Sequence, residues 1–242
     1  MQLISTRDNH APVNAAEAIR LGMVPGGGLF VPEAFPPYLP ADLVGKSYGE
    51  LAEEIFGLYL TDYSRAEIAG MVKNAYLSGN FPANPAPVVR AGHDYLLELW
   101  HGPTLAFKDM ALQLLPHLLT LSAGKNGEQR EIFILVATSG DTGKAALEGF
   151  LDVSGTRCCV FYPREGVSQA QKLQMVTTGG RNTHVIAVNG NFDDAQTGVK
   201  RIFADRQFAE TMNQQGRVLS SANSINFGRL VPQVGYYLSL IH

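Results

Sequence analysis

Lys108 stands in "HGPTLAFKDMALQLL", between a turn of small residues and an otherwise apolar helical pattern, where a solvated charge has little to gain. A lysine snorkelling from a helix end accounts for it, and so does a reactive amine held at the mouth of a pocket. The spacing places a helix start just after Pro103, with Thr104 as N-cap and Lys108 in the first turns. A cation there opposes the helix dipole, and apolar Phe107 and Met110 flank it in sequence. If the amine is also desolvated, both effects favour its neutral, nucleophilic form, which suits Schiff-base formation with a carbonyl. Asp109 works against this trend, although its carboxylate suits the beginning of a helix.

A second motif is "ILVATSGDTGKAA", residues 134–146. A strand is expected to end at Thr138, small polar residues turn the chain, and a helix begins near Gly143 with its N–H groups and positive dipole end available to an anion. A phosphate-binding P-loop is excluded, because Thr138 stands where its first glycine is needed and Ala145 where it needs Ser or Thr. Only G-x-x-G is present, which also excludes the dinucleotide fingerprint. A cap by Ser139 or Asp141, with glycine for the turn, explains the loop without any ligand.

The elements that must position these residues read as two regions. Up to about residue 90, helical patterns such as "YGELAEEIFGLYL" and "SRAEIAGMVKNAYLSG" alternate with Pro and Gly clusters, as in a smaller helical lobe. Pro82, Pro85 and Pro87 favour an extended connector, so the boundary is expected there, with lobes 1–90 and 91–242. Further on, "EIFILVAT", "TRCCVFYP", "THVIAVNG" and "RVLSSAN" each precede an amphipathic pattern. These are β/α units of an α/β fold with a doubly wound, mostly parallel sheet, whose ligands bind beyond the carboxyl ends of the strands.

Composition excludes several classes. With 242 residues, 45% hydrophobic and 17% charged, the chain is an ordinary globular one. A formal charge of −3 without blocks of like charge leaves no footprint for nucleic acid or an acidic membrane surface. No stretch is apolar enough for a membrane span and no signal-peptide pattern opens the chain, so a cytoplasmic, reducing setting is expected. Cys158 and Cys159 are neighbours on an expected strand and point to opposite faces, which suits neither a disulfide nor a shared metal. His101 adjoins the lysine motif but has no second ligand at metal spacing, and no metal is expected. "NGNFDDA" reads as an acidic helix start.

"HGPTLAFKD", followed by "TSGDTGKAA" and then by "NSINFGR", in that order, resembles the threonine synthase family, pyridoxal-phosphate enzymes of the tryptophan-synthase-like fold. "GGGLFVPE" and "YGELAEEIF" resemble the N-terminal region of that family, so the similarity runs along nearly the whole chain. The resemblance implies that Lys108 carries pyridoxal 5'-phosphate and moves protons while O-phosphohomoserine and water become threonine and phosphate. It implies that Ser139 and Asp141 lie beside the cofactor, and that Thr138, Gly140, Thr142 and Gly143 help receive the substrate carboxylate. Asp141 stands where many relatives of the wider fold carry Asn; an ionised Asp only accepts, so either it or the phenolic oxygen of the cofactor would hold a proton. Asn226, and with it Arg229, would meet the phosphorylated substrate, a surface salt bridge being the other reading of Arg229. Family members run well beyond residue 242, and their glycine-rich phosphate cradle lies in that later part. The expectation is therefore an N-terminal portion with weak cofactor binding and little turnover on its own. The alternatives are a related pyridoxal-phosphate phospholyase or dehydratase on the same fold, and a non-catalytic homologue.

Overall fold

A computed structural model describes residues 1–38 and 40–241. Its strands are β1 (Leu3–Ser5), β2 (Phe30–Pro32), β3 (Val88–Ala91), β4 (Asp94–Leu97), β5 (Glu131–Ala137), β6 (Thr156–Pro163), β7 (Thr183–Val188) and β8 (Arg217–Ser220). The helices are α1 (Ala15–Leu21), α2 (Tyr48–Tyr59), α3 (Arg65–Tyr76), α4 (Asp109–Leu112), α5 (Leu115–Lys125), α6 (Asp141–Gly149), α7 (Gln169–Val176), α8 (Phe192–Ala204), α9 (Arg206–Gln214) and α10 (Phe227–Leu238). None is long and apolar enough to cross a membrane.

The chain divides into two compact units, one formed by Met1–Asn126 with Ser224–His242, the other by Gly127–Asn223. The expected boundary near residue 90 falls inside the first of these units. The proline-rich connector leads only into the antiparallel pair β3 and β4, whose side chains are mostly exposed. The chain then returns to the first unit, where α5 packs on α1 and α3.

In the first unit, α2 and α3 start at capping boxes, Ser47 with Glu50 and Ser64 with Glu67, which satisfy orphan N–H groups and set where each helix begins. Their buried faces carry Leu51, Ile55 and Phe56 from α2 and Ile68, Met71 and Val72 from α3. Helix α10 packs against α1, α2, α4 and α5. The sequence pattern assigns it to the last β/α unit, but its apolar face is used here.

The second unit holds a parallel sheet in the order β7-β6-β5-β8. All four expected strands are present and parallel. Cys158 and Cys159 lie on opposite faces as adjacent strand residues must: Cys159 clusters with Leu135, Ala137, and Ala195 and Val199 of α8. On the opposite face Gly143 of α6 fits between Thr138, Val160 and Met175, where any Cβ would come within 2.5 Å of Thr138 Cγ2. Helices therefore cover both faces, as a doubly wound sheet requires. At the amino end of the strands, the Glu131 carboxylate accepts from Arg157 Nε at 3.0 Å and Arg217 Nε at 2.9 Å, tying β5 to both its neighbours. The helix expected after β7 is two helices, because the Asp205 carboxylate accepts from Phe208 N–H at 3.0 Å and starts α9 afresh.

Candidate active site

The lysine turn in the first unit is closed by a carboxylate. Asp109 is wholly buried, its Oδ2 accepting from Thr104 N–H at 2.8 Å and its Oδ1 from the Thr104 hydroxyl at 2.6 Å. Thr104 is thus not the helix N-cap: its hydroxyl is committed to Asp109, and α4 begins only at Asp109, with Lys108 in the cap position. Gly102 is needed for this closure, since a Cβ there would lie 2.5 Å from Asp109 Cβ and 2.8 Å from Phe81. Leu105 takes a left-handed φ of 60°, which folds the turn back on itself. Four helical residues sum too few peptide dipoles for the expected dipole effect on Lys108 to count for much.

Lys108 is half-buried, with Nζ 4.4 Å from the centroid of the Phe107 ring. That ring is itself 47% exposed, so the turn offers the amine a partly apolar edge. Next to the turn, His101 Nε2 lies 2.7 Å from Glu98 Oε2 and its ring packs on Trp100. This is a side-chain pair, consistent with the structural role expected of His101. Among the described residues no cluster of three or more His, Cys, Asp or Glu could hold a metal ion.

The SGDTG loop lies in the second unit, at the carboxyl end of β5. Thr138 is buried and its Oγ1 accepts from Gly140 N–H at 3.0 Å and Gly143 N–H at 2.9 Å, while donating to Gly140 C=O at 3.0 Å. The first turn of α6 is thus held by Thr138, the residue after β5, not by Ser139 or Asp141, and α6 begins at Asp141, before Gly143. This changes the expected roles of Thr138 and Gly143: the hydroxyl of one and the N–H of the other are used on each other. Ser139 and Asp141 are exposed, Thr142 is half-buried, and Gly140 has φ 152° and ψ −106°, a combination that L side chains rarely adopt. Asp141 Oδ1 accepts from Gln171 Nε2 at 2.9 Å. Gln171 was not legible as a site residue; "SQAQ" signals a capping box at α7, and its link to Asp141 is a tertiary contact.

Asn226 and Arg229 belong to the first unit. Asn226 is wholly buried, its Nδ2 donating to Ile19 C=O at 3.0 Å and its Oδ1 accepting from Gly228 N–H at 2.9 Å. These two bonds make Asn226 a cap that fastens α10 to α1. Arg229 is only 3% exposed, which removes the surface salt bridge; burial pulls its guanidinium down to about 10, so it stays charged at neutral pH. Asp193 and Asp194 open α8 behind Asn191, whose side chain forms a capping box with Asp194, as an acidic helix start should.

The chain's residues 2–76 match the family model described as "Threonine synthase N terminus". Threonine synthase of Pseudomonas aeruginosa is 39% identical over 243 residues, covering 98% of this chain and 50% of that protein. Human threonine synthase-like 1 is 40% identical over 238 residues, covering 93% of this chain and 32% of that one. The structure of pyridoxal-phosphate-bound threonine synthase from Brucella melitensis superposes with a TM-score of 0.88 at 36% identity, over 99% of this chain and 51% of the other. Yeast threonine synthase gives a TM-score of 0.87 at 32% identity, over 99% and 49%. The chain thus spans about half the length, or less, of these relatives.

Proposed function

The chain is a relative of the threonine synthases along almost its whole length, and from that premise we propose that it anchors pyridoxal phosphate at Lys108 and serves the conversion of O-phosphohomoserine and water to threonine and phosphate. The observation that carries the reading is the lysine turn: a buried Asp109 bound twice by Thr104, closed over Gly102, holds the backbone at Lys108, a half-buried residue. A rigidly based, reachable primary amine fits an aldehyde-bearing cofactor. An exposed Ser139 at the start of the nine-residue α6 fits the carboxylate of an amino acid.

Pyridoxal phosphate, when bound, supplies an electron sink for the carbon next to the substrate amino group. Lys108 Nζ holds the cofactor aldehyde and moves protons at the substrate carbons. Ser139 and Thr142, with the positive end of α6, bind and orient the substrate carboxylate. Thr138 keeps that helix start in shape by taking the N–H groups of Gly140 and Gly143 on its hydroxyl. Asp141 would meet the cofactor as a hydrogen-bond acceptor. In this reading a small-molecule amino acid phosphate is the substrate and no nucleic acid takes part.

Borohydride reduction of the chain incubated with pyridoxal phosphate, followed by peptide mass mapping, tests the anchor. The label is expected on Lys108 and lost in Lys108→Ala; a label spread over surface lysines in both proteins would sink the proposal. With O-phosphohomoserine, threonine appearing with phosphate supports the synthase reaction, whereas 2-oxobutyrate with phosphate identifies a phospholyase.

A further inference from the structure

The end of α3 and the residues after it grip the lysine turn at three points. At the start of the turn the Phe81 ring lies against Gly102, where an added Cβ would sit 2.8 Å from Phe81 Cε1. At the far end Asn80 Nδ2 donates to Gln113 Oε1 at 2.9 Å. Between them the hydroxyl of Tyr76, the last residue of α3, donates to Met110 C=O at 2.6 Å, and both residues are wholly buried. The Tyr76 ring stands edge-on to Tyr48, with centroids 5.2 Å apart, and lies 5.7 Å from that of Phe81. Burial pushes the Tyr76 hydroxyl well above its ordinary 10, so it keeps its proton and stays a donor.

The bond to Met110 falls where the helix stops. Lys108 C=O accepts from Leu112 N–H and Asp109 C=O from Gln113 N–H, each at 2.9 Å. A continuous helix would next pair Met110 C=O with Leu114 N–H. Among the described residues that pair does not form: Leu114 is the cap before α5, and the carbonyl is used by Tyr76. Pro116 adds a second break further on, having no N–H for Leu112 C=O. A side chain inserted into the ladder is one of the few causes of a sharp local interruption.

We propose that Tyr76 is a positioning residue for Lys108: by taking the Met110 carbonyl it ends α4 after one turn and so fixes the turn at whose start the amine stands. The proposal rests on the reading that Lys108 anchors pyridoxal phosphate. Tyr76 acts through the backbone of α4 and not on the cofactor itself.

Tyr76→Phe removes the donor and keeps the ring between Tyr48 and Phe81. The freed Met110 carbonyl is then taken by Leu114 N–H, and the turn behind Lys108 is drawn into α5. In the isotope-labelled chain without cofactor, the Leu114 amide proton is expected to move downfield in Tyr76→Phe. With pyridoxal phosphate at one fixed concentration, the rate of labelling at Lys108, read by borohydride trapping and peptide mapping, is expected to fall about tenfold, because a displaced reacting group loses rate. Ser64→Ala gives the comparison, since it removes the capping box at the other end of α3 and lowers stability without reaching Met110. It is expected to keep the wild-type Leu114 resonance and the wild-type labelling rate. An unmoved Leu114 resonance in Tyr76→Phe overturns the proposal. So does a labelling rate in Tyr76→Phe equal to that in Ser64→Ala, the result that a tyrosine serving only to pack would give. If the wild type itself is not labelled at Lys108, the functional reading fails, while the Leu114 resonance still decides whether Tyr76 ends α4.

Discussion

The lysine turn and the SGDTG loop do comparable work on opposite terms. Both are tight turns that only glycine permits, Gly102 in one and Gly140 and Gly143 in the other. The lysine turn is closed by a residue of its own motif: Asp109, wholly buried, reaches back to Thr104. The SGDTG loop is held from two sources, by Thr138 just after β5 and by Gln171 from α7, and its acid is exposed. The difference teaches what each can lose. A buried carboxyl group holding two hydrogen bonds is part of the fold, so the turn that carries Lys108 rests on a base that costs stability to disturb. An exposed carboxylate contributes little to the fold and can be tuned for a ligand.

Removing the buried acid should break the comparison most sharply. Asp109→Ala leaves the Thr104 N–H and hydroxyl without their partner and is expected to lower stability by about 3 kcal/mol, read by urea unfolding. Asp141→Ala should change it by under about 0.5 kcal/mol. Equal losses from the two would erase the distinction. Gly143→Ala forces a Cβ against Thr138, Val160 and Met175, none of them backbone, and is expected to cost about 1–3 kcal/mol. Asn226→Ala should cost about 1–2 kcal/mol through the lost cap and the lost bond to Ile19, and should leave pyridoxal phosphate binding unaltered; weakened binding with normal stability would return Asn226 to the ligand site.

The smallest effect concerns the far end of the sheet. Arg157, together with Arg217, holds the Glu131 carboxyl below its ordinary 4.5. Its pKa is lower folded than unfolded, so its contribution is present above about 4.5 and is lost as pH falls through the lower folded value. Urea midpoints followed down to acid pH should therefore fall less steeply for Glu131→Gln than for the wild type. Parallel curves would show that the carboxylate is not linked to folding.

Much of the second unit was legible because its strands are short apolar runs bounded by turn residues, a local signal, and the neighbouring cysteines followed from strand alternation alone. The lysine motif was misread in its geometry. Thr104 has the right residue type for an N-cap, but its hydroxyl met a better acceptor in Asp109, which delays the helix to Asp109 itself. The burial of Asn226 and Arg229 was not legible for a related reason. Polar residues after a strand look like ligand contacts, and only the docking of α10 on α1 shows that Asn226 is a buried cap. Gln171 could be read as a capping residue of α7, but no local pattern announces a contact with a carboxylate on another helix. The prolines mark where the backbone is stiff, whereas the two compact units divide where packing partners change.

The return of the chain at Ser224 has a consequence for the order of events during synthesis. The first unit contains the N-terminus, yet α10, which its helices α1, α2, α4 and α5 pack against, is made only after every residue of the second unit. A ribosome therefore releases a complete Gly127–Asn223 before it releases a complete first unit, and until then Ile19 lacks its bond from Asn226 and α1 lacks a neighbour. The segment that emerges earliest is the one that waits longest to be finished, with apolar surface exposed to chaperones in the meantime.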